Sequence, residues 1–76
     1  MESNDAVRER LSRDDEGYRR LAQKHQEYDR RLEELRGLRY PTEVEKLEEI
    51  RLKKLKLAMK DQMEERIRVE RRDSGA

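Results

Sequence analysis

The sequence predicts an all-α fold, an antiparallel two-helix hairpin with coiled-coil character that assembles into a helical bundle. Charged residues make up 51% and hydrophobic residues 32% of the 76-residue chain, a composition typical of long, solvated helices. Two segments carry apolar residues at the three- and four-residue spacings of a helix face. Between these segments, a glycine, a proline and a capping motif indicate a single tight turn.

The amino-terminal part of the chain is expected to hold little regular structure. Residues 1–6 show no periodic apolar pattern and are predicted to form a flexible tail. Val7 and Leu11 are four residues apart and can share one helix face. They predict a short helix, or a kinked start to the first long helix, over residues 7–13.

The first long helix is predicted over residues 15–37. Asp15, or Asp14 before it, suits the N-cap because a carboxylate accepts hydrogen bonds from the first turn. Gly17 is a poor helix former, which also favours a boundary in this region. The helix is expected to end at Gly37 in the left-handed conformation that follows many C-caps. Its inward face carries a heptad stripe formed by Tyr18, Leu21, His25, Tyr28, Leu32 and Leu35.

A turn over residues 37–41 should reverse the chain. Pro41 disfavours helical geometry in the residue before it. Thr42 and Glu45 then form a capping-box sequence, which predicts a second helix over residues 42–71. The predicted hairpin domain therefore spans residues 7–72, followed by a flexible tail at residues 73–76.

Helix two carries apolar residues on two faces. Reflecting the chain about the turn places the first face against helix one, with Leu35 opposite Val44 and His25 opposite Leu55. This inward stripe comprises Val44, Leu52, Leu55, Met59, Met63 and Ile67. The second face contains Ile50 and Leu57, seven residues apart, with Leu47 partly beside them.

The second face is interpreted as a surface for self-association or for an unidentified protein partner. Its predicted residues are Leu47, Ile50 and Leu57, with Lys53 and Lys54 beside them. A two-helix core this small is marginal without further burial, which favours a homo-oligomer. The alternative is that these are isolated surface aliphatic residues, which are common.

The sequence offers little for catalysis or metal binding. His25 is the single histidine, and the chain has no cysteine, so a zinc site would need carboxylates alone. His25, Asp29 and Lys56 are interpreted as a polar seam that sets the helix register. An open hairpin has no enclosed pocket to shift carboxylate pKa values. We therefore predict a non-enzymatic protein with no catalytic, metal or cofactor site and no small-molecule substrate.

The run of basic residues from Arg51 to Lys60 offers an alternative function. It can contact phosphates, so a nucleic-acid-binding or ribosome-associated protein is the second hypothesis. Acidic residues flank the run and no aromatic residues alternate with it, which favours a solvated surface instead. No apolar run is long enough for a membrane span or a signal peptide, so a cytoplasmic protein without membrane contact is expected.

Several short motifs resemble the YdcH-like family of small bacterial proteins. The similarity covers about residues 11–67 and is carried by His25–Asp29, Tyr40–Thr42, Leu52–Lys54 and Lys56–Asp61. Met59 stands where the family has leucine, and the segment from Asp15 to Tyr18 lacks the proline often found before helix one. The resemblance implies a bacterial helical hairpin with coiled-coil character and no assigned molecular function.

Overall fold

The computed structural model describes residues 2–75, and side chains over residues 2–73. Within this range the chain forms three α-helices and no strand: α1 (Asn4–Asp14), α2 (Glu16–Arg36) and α3 (Glu43–Gly75). The prediction of an all-α fold is confirmed for this part of the chain. The two-helix hairpin is not confirmed, because there are three helices. The molecule measures 51 × 20 × 16 Å, so α3 runs along most of its length.

The first helix begins inside the segment that was expected to be a tail. Ser3 is its N-cap, and the Ser3 hydroxyl accepts a hydrogen bond from the Ala6 N–H at 3.2 Å. This cap satisfies one of the free N–H groups of the first turn, which explains the start at Asn4. Met1 lies outside the described residues.

One residue separates α1 from α2. Asp15 adopts an extended conformation, with φ −114° and ψ 106°, and therefore ends the first helix. Its side chain accepts a hydrogen bond from the Tyr18 N–H at 2.9 Å and so caps the second helix. The N-cap predicted at Asp15 is confirmed, and the break it causes is the reason that there are three helices.

The core explains why α1 belongs to the folded domain. Val7 and Leu11 are buried in one cluster with Tyr18 and Ile67, which brings all three helices together. Ala22 and Met63 pack against this cluster. A second group of buried side chains, Leu32 and Leu35, lies in α2 toward the turn. The apolar contacts thus run along the seam between the first two helices and α3.

The turn between α2 and α3 agrees with the sequence-based prediction at the start of α3 but not at the end of α2. Gly37 has φ −78° and ψ −10°, so the expected left-handed conformation is wrong. The Leu38 N–H instead bonds to the Leu35 carbonyl at 3.2 Å, in a tight helical turn. The capping box is confirmed, because the Thr42 N–H donates to Glu45 Oε1 at 2.8 Å and the Glu45 N–H donates to Thr42 Oγ1 at 3.1 Å.

The third helix is longer than predicted and lies antiparallel to α2. It begins at Glu43 and reaches Gly75, so it includes residues 73–75 that were expected to form a tail. Ala76 lies outside the described residues. Ion pairs between the two helices show that they are antiparallel and define their register. From one pair to the next, the residue number of the α2 partner falls as that of the α3 partner rises. The pairs are Arg31–Glu48, Asp29–Lys56 and, at the N-cap of α2, Asp15–Arg66.

Candidate interaction surface on the third helix

The outer face of α3 carries exposed aliphatic side chains. Leu47, Ile50 and Leu57 are 65%, 55% and 48% exposed. At about 100° per residue, Ile50 and Leu57 lie on nearly the opposite side of the helix from the half-buried Leu52, Leu55 and Met59. The structure therefore places the predicted second face away from the intramolecular seam, and we call it the outer face.

Val44 is a further exposed aliphatic residue of α3, nearer the turn, and its predicted position in the seam is wrong. Val44 was expected to pack opposite Leu35, but it is 75% exposed. In the first turns of α3 the half-buried positions are held by Glu45, Glu48 and Glu49. Arg31 bonds to Glu48 through its Nε at 2.9 Å, and Arg36 lies 3.5 Å from Glu49. These ion pairs direct the acidic face of α3 toward α2, and Val44 consequently points outward.

Two exposed residues at the turn end of the molecule were not assigned to any surface by the sequence. Tyr40 and Leu38 are both exposed, and they lie close in sequence to Val44. The sequence feature that could have indicated a contact surface here is the three-residue spacing of Val44, Leu47 and Ile50, because side chains three residues apart are neighbours on a helix. With Tyr40 and Leu38, Val44 adds exposed apolar side chains near the turn end of the molecule.

The predicted lysines border the outer face. Lys53 and Lys54 are exposed and form no ion pair within the part of the chain that the structure describes. The same holds for Arg51 and Lys60. These side chains are therefore available to an external anion, whereas most of the acidic residues at the start of α3 are paired within the protein.

Two acidic residues farther along α3 also lie beside the outer face, but they were not predicted from the sequence as part of it. Asp61 and Glu64 are exposed and make no ion pair among the described residues. They follow Leu57 by four and seven residues, so they lie on nearly the same side of the helix. Their place after a lysine-rich run is visible in the sequence as a change from basic to acidic residues after Lys60.

The structure brings part of the predicted polar seam together. The Lys56 ammonium donates a hydrogen bond to Asp29 Oδ1, and both side chains are half-buried. This hydrogen bond, with the charge of Lys56 and a smaller contribution from His25, holds the pKa of Asp29 below its ordinary value. Lys56 and Asp29 thus act as a cross-link between α2 and α3.

His25 lies in an open groove beside this pair. The groove has a volume of about 530 Å³, and its lining comprises Arg8, Tyr18, His25, Lys56, Leu57, Lys60, Met63, Glu64 and Ile67. Leu57 therefore belongs both to the outer face and to the rim of the groove. The lining contains no serine, threonine or cysteine, so it offers no hydroxyl or thiol nucleophile next to the imidazole apart from the Tyr18 phenol.

Neither a metal-binding cluster nor a helix able to cross a membrane is found among the residues that the structure describes. There, no group of three or more histidine, aspartate or glutamate side chains is arranged to hold a metal ion. Across the same residues, none of the helices combines the length and the hydropathy needed to cross a membrane.

The fold and its surface define a small charged helical protein with an apolar outer face on its longest helix. A family model described as "Protein of unknown function (DUF465)" matches residues 19–67, which is more than half of the chain. The chain therefore belongs to this family, which is the YdcH-type family indicated by its motifs. Comparison with curated proteins and with solved structures found no match.

Proposed function

We propose that this protein is a non-enzymatic interaction module that self-associates through the outer face of α3. The observation that carries the proposal is the exposure of Leu47, Ile50 and Leu57, which are 65%, 55% and 48% exposed. Exposed aliphatic groups that lie along one ridge, with polar residues at their rim, are typical of contact surfaces. Lys53 and Lys54 supply that polar rim.

The small core supports the same proposal. The buried apolar side chains among the described residues are Val7, Leu11, Tyr18, Leu32, Leu35 and Ile67. Burial of so few apolar side chains offsets only part of the conformational entropy that the ordered chain loses on folding. Covering Leu47, Ile50 and Leu57 in a dimer or larger bundle adds apolar burial that the single chain lacks.

The absence of an enzymatic role is part of the proposal. The groove beside His25 is open to solvent, and the Asp29 carboxylate next to it is engaged by Lys56. An engaged carboxylate with a lowered pKa is a poor general base near neutral pH. We further propose that the protein acts in the cytoplasm, where its partners would be copies of itself or other soluble proteins.

A second candidate function is binding to nucleic acid or to the ribosome. It is favoured by one observation: four basic residues of α3 are exposed and form no ion pair within the described part of the protein, namely Arg51, Lys53, Lys54 and Lys60. Phosphate contacts of this kind weaken steeply with salt. Binding of a fluorescent RNA or DNA duplex at low salt, reduced in the Lys53→Gln, Lys54→Gln variant, would support this function. No binding at low salt would exclude it.

The self-association proposal is tested with one variant and a matched control. Leu57→Asp places a charge on the outer face, and Gln62→Asp places the same side chain at an exposed site about 140° away around α3. We expect sedimentation velocity at micromolar concentration to show a smaller species for Leu57→Asp only. Circular dichroism should show equal helix content in both variants. If Leu57→Asp sediments like the unmodified chain, the outer face is not the contact surface.

A further inference from the structure

Five residues of α3 form a ridge along the outer face, with a cation before Leu57 and anions after it: Ile50, Lys53, Leu57, Asp61 and Glu64. Lys53 precedes Leu57 by four residues and Asp61 follows it by four, and each lies about 40° from it around the helix. Ile50 and Glu64, seven residues away on either side, lie about 20° from it. Lys53, Asp61 and Glu64 form no ion pair within the described residues. Among the described residues, this ridge thus carries an unpaired cation before its central leucine and unpaired anions after it.

This arrangement distinguishes between the two ways in which two copies can pack α3 against α3. In a parallel pair, Lys53 would face Lys53 and Asp61 would face Asp61, and both contacts would be repulsive. In an antiparallel pair centred on Leu57, Lys53 of each copy faces Asp61 of the other. Such a pair has two-fold symmetry, and the favourable contact is made twice.

From this complementarity we infer that the occupant of the outer face is a second copy of the chain, with the two α3 helices antiparallel and crossing at Leu57. The inference rests on the proposed self-association and specifies its geometry. Leu57 packs against Leu57 of the other copy at the symmetry axis. Ile50 is covered by the aliphatic part of the partner's Glu64. The same symmetry sets Lys54 opposite Lys60, but both lie about 60° from Leu57, at the edge of the contact, where their long side chains extend apart into solvent.

Disulfide trapping tests this geometry directly, because the chain has no cysteine of its own. Single-cysteine variants Lys53→Cys and Asp61→Cys are mixed, oxidised mildly and analysed by mass spectrometry under non-reducing conditions. We expect the mixed 53–61 disulfide to form several-fold faster than the symmetric 53–53 and 61–61 products. Gln62→Cys, an exposed site away from the ridge, sets the background rate. The inference is wrong if the 53–53 and 61–61 disulfides predominate, or if the 53–61 disulfide forms no faster than the Gln62→Cys background.

A charge exchange provides a second test in which no cysteine is introduced. Lys53→Asp alone should weaken the dimer several-fold, because two acidic side chains then face each other at each contact. The double variant Lys53→Asp, Asp61→Lys should restore the affinity of the unmodified chain. In a parallel dimer neither variant should change the affinity, and that result would contradict the inference.

The two proposals fail in different ways. If the unmodified chain sediments as a monomer, the proposed self-association is wrong. If it forms a dimer that neither favours the 53–61 disulfide nor responds to the charge exchange, the antiparallel geometry is wrong and self-association stands.

Discussion

Arg66 reaches across 51 residues of sequence to bind the carboxylate that caps α2, with its Nη1 3.1 Å from Oδ2 of Asp15. The same carboxylate accepts the Tyr18 N–H at 2.9 Å. Asp15 therefore ends α1, caps α2 and forms an ion pair with α3. The hydrogen bond from Tyr18, and then the charge of Arg66, hold the pKa of Asp15 below its ordinary value.

Replacing this cap should destabilise the fold measurably. Asp15→Ala removes the N-cap and the ion pair to Arg66, and we expect a loss of about 0.5–2 kcal/mol in the free energy of unfolding. The measurement is urea denaturation followed by circular dichroism. Asp14→Ala is the matched control, because Asp14 is exposed and its one ion pair among the described residues is with its neighbour Arg13. An equal loss in both variants would show that Asp15 has no special role.

Gly17 should show two opposing effects when it is replaced by alanine. A Cβ at Gly17 would lie 2.9 Å from Nη2 of Arg66, so the guanidinium would have to shift. Alanine is favoured over glycine in a helix by up to about 1 kcal/mol. We therefore expect Gly17→Ala to stabilise the protein more when Arg66 is already alanine. Equal effects in the two backgrounds, measured by urea denaturation, would contradict this contact.

The docking of α1 can be tested by comparing two aliphatic residues. Leu11 is buried among all three helices, whereas Val44 is exposed. Leu11→Ala should cost about 2–5 kcal/mol of stability, and Val44→Ala should change stability by less than about 0.5 kcal/mol. The measurement is made at low protein concentration, so that self-association contributes little. A small effect of Leu11→Ala would mean that α1 is not part of the folded core.

The stability of the fold should fall in acid through its paired carboxylates. The pKa values of Asp15, Asp29 and Glu48 are all lowered by hydrogen bonds from their partners. A lowered pKa means that the unfolded chain binds protons more readily, so the stabilisation is complete above the unfolded pKa, near pH 4, and is lost as the pH falls toward the folded value.

The variant Asp29→Asn isolates one of these contributions. It removes the carboxylate that Lys56 binds, and we expect a shallower loss of stability below about pH 5 than in the unmodified chain. Urea denaturation midpoints measured across the acid range provide the test. An unchanged acid dependence would show that the Lys56–Asp29 pair does not contribute in solution.

The parts of the fold that were predictable depend on local chemistry. The capping box of Thr42 and Glu45 and the N-cap at Asp15 follow from hydrogen bonds within one turn, so the residues themselves carry the information. The exposure of Ile50 and Leu57 was likewise predicted, because their helical phase differs from that of the inward stripe.

The parts that were missed depend on contacts between segments. Val44 was assigned to the seam from its spacing, but the ion pairs of Arg31 and Arg36 turn the acidic side of α3 toward α2. A short helix over residues 7–13 was predicted and α1 contains it, but its packing in one cluster with Ile67, about 60 residues away in sequence, is something that periodicity over two apolar positions cannot reveal. The groove beside His25 likewise exists only once the three helices are assembled.

Self-association of the chain is tested most directly by sedimentation velocity of the unmodified protein over a wide range of concentration. We expect a species larger than the 9.3 kDa chain at micromolar concentration and a shift toward the single chain on dilution. A single 9.3 kDa species at every concentration, up to the millimolar range, would contradict it.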